Sequence, residues 1–336
     1  MLASKRWGRL GGVLVAACLL AACGSGGSDG SPSTTAAPSG GTSSSDDAWP
    51  RTVGRDFAET KVPAQPQRVV ATADRDQLDV LLAMGIEPVL YGFSGDYEVS
   101  APWIDPSEIE GLEKATMASA FEPNLERIAA ARPDLIVDAW SEPTMHDSLS
   151  QIAPTVQIKI DNTDSWRDAQ LLAGAALGQE EAADEAIAET EAVIASQAER
   201  LDEFEDLKVA VAYVDGGSLV VIPGDEIGGR IIADLGVEVL DPPGGESGRY
   251  SLEEIPELLG DADVILSFNA GGGTDSKANA LFAALPAVQA GGYVPVDQEL
   301  ATAAYQESTL SLRWAAEGLT DAILAGANGE GDTLGD

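Results

Sequence analysis

The sequence predicts an α/β fold of two lobes, each on a largely parallel sheet, joined by one long bridging α-helix with a ligand cleft between the lobes. Three observations lead there. Short apolar runs alternate with helical stretches up to about position 165, the same alternation resumes after 207, and the segment between contains no strand-like run.

In chain order, Arg68 to Thr72 reads as a strand, Leu78 to Met84 as a helix broken by Gly85, and Pro88 to Tyr91 as a second strand. A helix over Asn124 to Ala131, a strand over Leu135 to Ala139, a short helix near Leu149 and a strand over Thr155 to Ile158 complete the first lobe. These strands are near-continuous apolar runs, as a sheet covered by helices on both faces requires. Gly178 divides the middle segment into a shorter helix and a long one from about Gln179 to Phe204. In the long helix Ile187, Ile194 and Leu201 recur every seven residues beside Ala183 and Ala198, a narrow apolar stripe on a rod about 39 Å long. The second lobe reads as strands at Lys208 to Val214, Ser218 to Ile222, Val237 to Leu240, Val264 to Ser267 and Tyr293 to Val296. Its helices fall at Ile227 to Leu235, Leu252 to Leu259, Ala278 to Leu285 and Ser308 to Leu324. No internal repeat aligns, so the duplication is one of architecture.

The expected organisation is a signal segment over 1–22, a disordered tether over 23–50, a first lobe over 51–165, a helical linker over 166–206, a second lobe over 207–327 and a disordered tail over 328–336. The signal rests on basic Lys5, Arg6 and Arg9, an apolar run from Leu10 to Leu20 and the small residues Ala21 and Ala22. Leu20-Ala21-Ala22-Cys23 resembles the bacterial lipobox, which makes Cys23 the expected lipidation site and the first mature residue; the alternative is a plain signal with an incidental cysteine. The tether is Gly, Ser, Thr, Ala and Pro, without the large apolar residues that would offset ordering entropy.

The formal charge is −37, and loss of the signal removes three bases and no acid. Nucleic acid is excluded as a partner, because phosphate contacts need a basic surface. Such acidity suits a body held above anionic headgroups on a tether, or simply reflects the habitat of the source. The second cysteine, Cys18, lies inside the signal, so stability must come from the core rather than from a disulfide.

Pro66-Gln67-Arg68-Val69-Val70 and Leu81-Leu82-Ala83-Met84-Gly85-Ile86-Glu87-Pro88-Val89, then Asn124-Leu125-Glu126-Arg127-Ile128 and Arg132-Pro133-Asp134-Leu135-Ile136-Val137, resemble the iron-siderophore and cobalamin periplasmic-binding family. Gln151-Ile152-Ala153-Pro154-Thr155-Val156 continues the likeness, as do Ser251-Leu252-Glu253 and Asp261-Ala262-Asp263-Val264-Ile265. The resemblance is strong in the first lobe and weaker in the second. It implies a rigid helical bridge, limited closure, and a monomer that binds a ferric siderophore and delivers it to an ABC permease, with cobalamin or haem as alternatives. It also implies docking on the permease through Glu126 and Glu253; the bland alternative is an acid that complements a helix dipole.

In open α/β sheets ligands bind beyond the carboxyl ends of the strands. The loops expected there carry Tyr97, Trp103 and Trp140 in the first lobe and Arg230, Arg249 and Tyr250 in the second, with Phe93 and Phe268 beside them. Aromatic walls with one or two arginines suit a bulky chelate, although a lone loop aromatic also serves as an anchor to the core. The negative field favours a neutral or cationic ferric hydroxamate over an anionic catecholate. A secreted hydrolase is the rival of another class; it would depend on a single histidine, His146, and the one G-x-S-x-G, Gly26 to Gly30, falls in the expected tether rather than in a lobe. One histidine also cannot build the usual zinc site, so metal should arrive already chelated, with no resident cofactor. Membrane contact is expected only through the lipid on Cys23.

Overall fold

The computed structural model describes residues 49–55, 58–72, 76–93, 101–117, 122–138, 143–158, 165–204, 206–245, 247–268 and 275–331. The signal and most of the tether lie outside these residues.

An antiparallel hairpin of β1 (Arg51–Arg55) and β2 (Ala58–Val62) comes first, in a stretch for which the sequence predicts no strand. The first lobe follows: β3 (Val69–Ala71), α1 (Asp76–Ala83), β4 (Leu90–Phe93), α2 (Pro106–Ile109), β5 (Lys114–Thr116), α3 (Leu125–Ala131), β6 (Leu135–Asp138), α4 (Pro143–Ser150) and β7 (Thr155–Gln157). Its sheet runs β5-β4-β3-β6-β7 and every pairing is parallel. The order reverses between β3 and β6, which makes their carboxyl ends the switch point of the sheet.

Two residues of the sequence signature lock this lobe. Asp134 accepts from the backbone N–H groups of Arg68 (2.8 Å) and Gln67 (2.9 Å), fixing the start of β3 beside β6. Arg68 in turn donates to the carbonyls of Ala131 (2.7 Å) and Arg132 (3.1 Å), satisfying the open end of α3. The second lobe repeats the device, with Asp263 accepting from Lys208 N at 3.0 Å. Gly92 shows how tightly β4 sits. A Cβ there would lie 1.9 Å from the carbonyl oxygen of Thr72 and 2.8 Å from Met117 Sδ. Gly92→Ala is therefore expected to cost about 2 to 3 kcal/mol through overpacking, read as a lower urea midpoint with an unchanged slope.

The bridge is α5 (Trp166–Leu177) and α6 (Glu180–Ala198), divided at Gly178, followed by a 3-10 turn over Glu199–Leu201. Ser165 opens α5 in a capping box with Asp168. The regular part of α6 is 19 residues, about 28 Å, shorter than the sequence suggested because its end tightens into the 3-10 turn. The hairpin clips onto this corner: Arg51 donates to Ala175 O at 3.1 Å and pairs with Glu180, while Trp49 covers Gly178.

The second lobe comprises β8 (Lys208–Asp215), β9 (Ser218–Ile222), α7 (Arg230–Asp234), β10 (Glu238–Val239), β11 (Gly248–Tyr250), α8 (Ile255–Leu259), β12 (Val264–Ser267), α9 (Ala280–Ala283), α10 (Pro286–Gln289), β13 (Tyr293–Pro295), α11 (Gln298–Gln306) and α12 (Thr309–Ala327). The sheet order is β11-β9-β8-β12-β13, with β10 also on β8. Here β9 runs antiparallel, because Gly216 (φ 55°) and Gly217 (φ 83°) close a two-residue hairpin between β8 and β9. β12, β13 and β10 remain parallel to their partners.

The sheets keep separate outer cores, one around Val70, Ile128, Ile136 and Leu149, the other around Ala212, Leu219, Ile255 and Phe282. Their inner faces share one. It runs from Ala71 and Leu81 through Ala173, Leu312 and Leu319 to Val211 and Leu266. The sequence suggested a single strut between independent halves; in the fold α12, buried along most of its length, returns to pack against α6 and α1 and joins the two inner faces. Among the described residues no helix is long and apolar enough to cross a membrane.

Candidate functional site

The first-lobe side of the site is the switch point. The Thr72 hydroxyl donates to Asp138 Oδ1 at 2.7 Å across the ends of β3 and β6, and both side chains are buried. One turn into α1, Asp79 is fully buried. Its Oδ2 accepts from Trp103 Nε1 (2.8 Å), Gln306 Nε2 (2.9 Å) and the Ser308 hydroxyl. Burial pushes this carboxyl up to about 8; the Ser308 bond pulls it back, Asp76 raises it further, and the bonds from Trp103 and Gln306 lower it. The Trp103 ring, half-buried, tilts against Trp314 of α12 with centroids 6.1 Å apart.

On the second-lobe side Phe268, at the end of β12, meets Tyr305 of α11 edge-on at 5.6 Å. Burial raises the Tyr305 phenol above its ordinary range, and the neighbouring Tyr213 hydroxyl adds to this by charge and by a hydrogen bond. Beside them Arg230 Nε lies 3.0 Å from each carboxylate oxygen of Glu307, and its Nη2 closes a second bond. Glu307 is only 2% exposed, so burial raises its carboxyl while the Arg230 guanidinium pulls it down. Asp234 is also raised by burial and held back by Arg167 and Arg230. Arg249 forms an exposed pair with Asp215 at 2.6 Å, next to the Gly216-Gly217 turn. Among the described residues no group of three or more His, Cys, Asp or Glu side chains is placed to hold a metal ion.

In open α/β sheets ligands bind at the switch point, and a family model described as periplasmic binding protein covers residues 70–299. The chain belongs to that family. The periplasmic binding proteins are a family of substrate binders rather than of enzymes. A Bacillus subtilis protein named "Probable siderophore-binding lipoprotein" is 28% identical over 221 residues, covering 62% of this chain and 65% of the relative, so the chain spans just under two-thirds of that protein's length. The Fe(3+)-citrate-binding protein of the same organism is 26% identical over 255 residues, covering 74% of this chain and 79% of that one. Among solved structures, a periplasmic solute binding protein from Mycobacterium smegmatis is similar with a TM-score of 0.69 and 25% identity, covering 82% of this chain and 98% of that one. PiaA of Streptococcus pneumoniae, solved in complex with ferrichrome, follows with a TM-score of 0.65 and 24% identity over 83% of this chain and 99% of its own, a likeness of fold.

Within this periplasmic binding protein the residues expected to line the cleft are placed unevenly. Tyr97 and Trp140 lie outside the described residues, as does Cys23, and of Phe93 only the backbone is described. Trp103 is tied by its indole N–H to a buried acid, Arg230 is held in a buried ion pair, Arg249 sits in a surface pair, and Tyr250 is half-buried at the end of β11. Glu126, in the first turn of α3, and Glu253, in the 3-10 turn before α8, are both exposed, and neither carboxylate has a partner among the described residues. Glu254 differs, since its Oε2 accepts from Ser251 N at 2.7 Å in a capping box. Sequence reasoning missed Asp79, Tyr213, Tyr305, Gln306, Glu307 and Trp314. The one local signal was Asp79 itself, an acid set inside the apolar run Leu78 to Leu82.

Proposed function

We propose that the chain is the lipid-anchored, extracytoplasmic binding component of an ABC importer, which captures a ferric siderophore in the cleft between its lobes and presents it to the permease. It performs no catalysis. The observation that carries the reading is a parallel sheet with a switch point beside a second α/β lobe, in a chain that belongs to a binding-protein family and has relatives named for siderophore and ferric-citrate binding. In this reading Cys23 carries the lipid, the residues to about 50 form the tether, and the lobes over 51–165 and 207–327 flank the linker over 166–206. Tyr97, Trp103, Trp140 and Tyr250 supply aromatic contacts to the chelate. Arg249 lies in an exposed pair that solvent already weakens, so it can turn toward a ligand at little cost; Arg230 meets the ligand as one half of a neutral pair with Glu307.

Tryptophan fluorescence titration tests this. The mature chain is titrated with a ferric hydroxamate, a ferric catecholate, ferric citrate, haem and cobalamin. Saturable quenching by one iron chelate, with micromolar or tighter affinity, is the expected result. Saturation by haem or cobalamin alone moves the assignment to that ligand on the same scaffold, and no response from any of the five removes the receptor reading.

A further inference from the structure

Helix α1 carries an acid where its packing asks for an apolar side chain. Asp79 is 0% exposed between Leu78 and Val80, and its Oδ2 gathers three donors from two places in the chain: Trp103 on the first-lobe loop after β4, and Gln306 and Ser308 at the junction of α11 and α12. Ser308 is itself part of the cap of α12, its hydroxyl 3.0 Å from that of Ser311. The other carboxyl oxygen, Oδ1, has no hydrogen-bond partner among the described residues, and the same holds for the Gln77 amide and Gln306 Oε1. Buried polar atoms left this way are costly, and an apolar side chain on α1 would avoid the cost. What the acid alone supplies is a fixed direction for the Trp103 ring and a polar tie from α1 to the start of α12.

The charge environment is one-sided. Among the described residues Asp76 on the same helix is the charged group acting on Asp79, whereas the groups that donate to it from the Trp103 loop, α11 and α12 are uncharged, as is Gln170, which α5 presents to the Val80 carbonyl. Among the described residues no cation is placed to offset an ionised Asp79.

We propose that Asp79 is a positioning residue for the ligand cleft: it orients Trp103 against Trp314 and, through Gln306 and Ser308, fixes the first-lobe wall to the terminal helices of the second lobe. The proposal rests on the chelate-binding reading of the cleft with Trp103 in its wall. Because burial raises this carboxyl to about 8, the folded protein keeps a proton that the unfolded chain releases near 4. The clasp therefore loses stability as pH rises from about 4 toward 8, and it is weakest above that, where the buried site is charged.

The experiment compares wild type, Asp79→Asn and Asp79→Leu in the mature chain. Two readouts are taken: the tryptophan emission spectrum without ligand, corrected with Trp103→Phe, and affinity for ferrioxamine B and ferric citrate from pH 6 to 9. Asn keeps an oxygen acceptor for the indole and does not titrate. It is expected to bind within roughly threefold of wild type and to lose the weakening above pH 8, while Leu weakens binding roughly tenfold and shifts the Trp103 emission. Wild type is expected to lose roughly tenfold in affinity between pH 7 and 9. If Asp79→Leu does not fold, the pH profiles of wild type and Asp79→Asn decide, and identical profiles overturn the proposal. If neither chelate quenches wild type, the proposed ligand class fails, and the ligand-free spectra still judge the positioning: unchanged Trp103 emission in both variants rejects it.

Discussion

Reversing Glu126 and Glu253 to arginine together is expected to abolish import while leaving affinity for the chelate unchanged. Both carboxylates stand exposed at the start of helical turns, one in each lobe, and neither is engaged by a neighbour among the described residues. The nearby Glu254 is occupied in its cap and offers a poorer substitute. An acid of this kind is available to a basic partner. Losing one side of a desolvated charge pair costs about 2 to 5 kcal/mol, and reversal adds repulsion, so two reversals should lower uptake by more than about a hundredfold. The check is iron-labelled uptake in cells that carry only the variant, beside a quenching titration of the purified protein. Each single reversal should give an intermediate loss. Weakened chelate binding in the double variant would sink the docking assignment, because it would place these acids in the cleft instead.

Arg230→Met is expected to be the most destabilising single change on the second-lobe side. It removes the partner of Glu307, leaving a carboxylate that is 2% exposed beside the acid Asp234. Breaking a buried pair from one side costs about 3 to 5 kcal/mol, since the remaining charge is uncompensated. The double change Arg230→Met with Glu307→Gln should recover most of that loss, because the replacement leaves no buried charge at all. Urea unfolding at pH 7 reads both. A single variant within about 1 kcal/mol of wild type, or a double variant no better than the single, would show that the pair is not buried in the folded protein.

The strands β3, β6, β8 and β12 were legible because a strand covered on both faces is apolar throughout, and Val69-Val70-Ala71, Leu135-Ile136-Val137 and Val264-Ile265-Leu266 leave no alternative period to fit. The break at Gly178 was equally clear. Two of the edge strands were not: β5 is Lys-Ala-Thr and β11 is Gly-Arg-Tyr, three residues each with no run to detect. Helix α11 was overlooked although Asp297 caps it, accepting from Leu300 N at 2.7 Å, because its alanine-rich face carries little hydrophobic signal. Helix α7 begins at Arg230 rather than Ile227, where the residues ahead of it must pass Tyr305: a Cβ on Gly228 would sit 2.9 Å from that ring. The site was less readable than the fold for a physical reason. Asp79, Gln306 and Ser308 meet across more than two hundred positions of chain, and Glu307 acquires its meaning only from Arg230. No local pattern records such a pairing.

The inner layer of α1, α6 and α12, on which both sheets rest, also bears on traffic at the membrane. On the proposed reading, jaws set in a common bed swing little, little of the energy of capture goes into moving protein mass, and empty and loaded receptors offer the permease nearly the same outline. On the proposed reading, vacant molecules compete for the same berth as filled ones, and an excess of receptor over chelate slows import rather than speeding it.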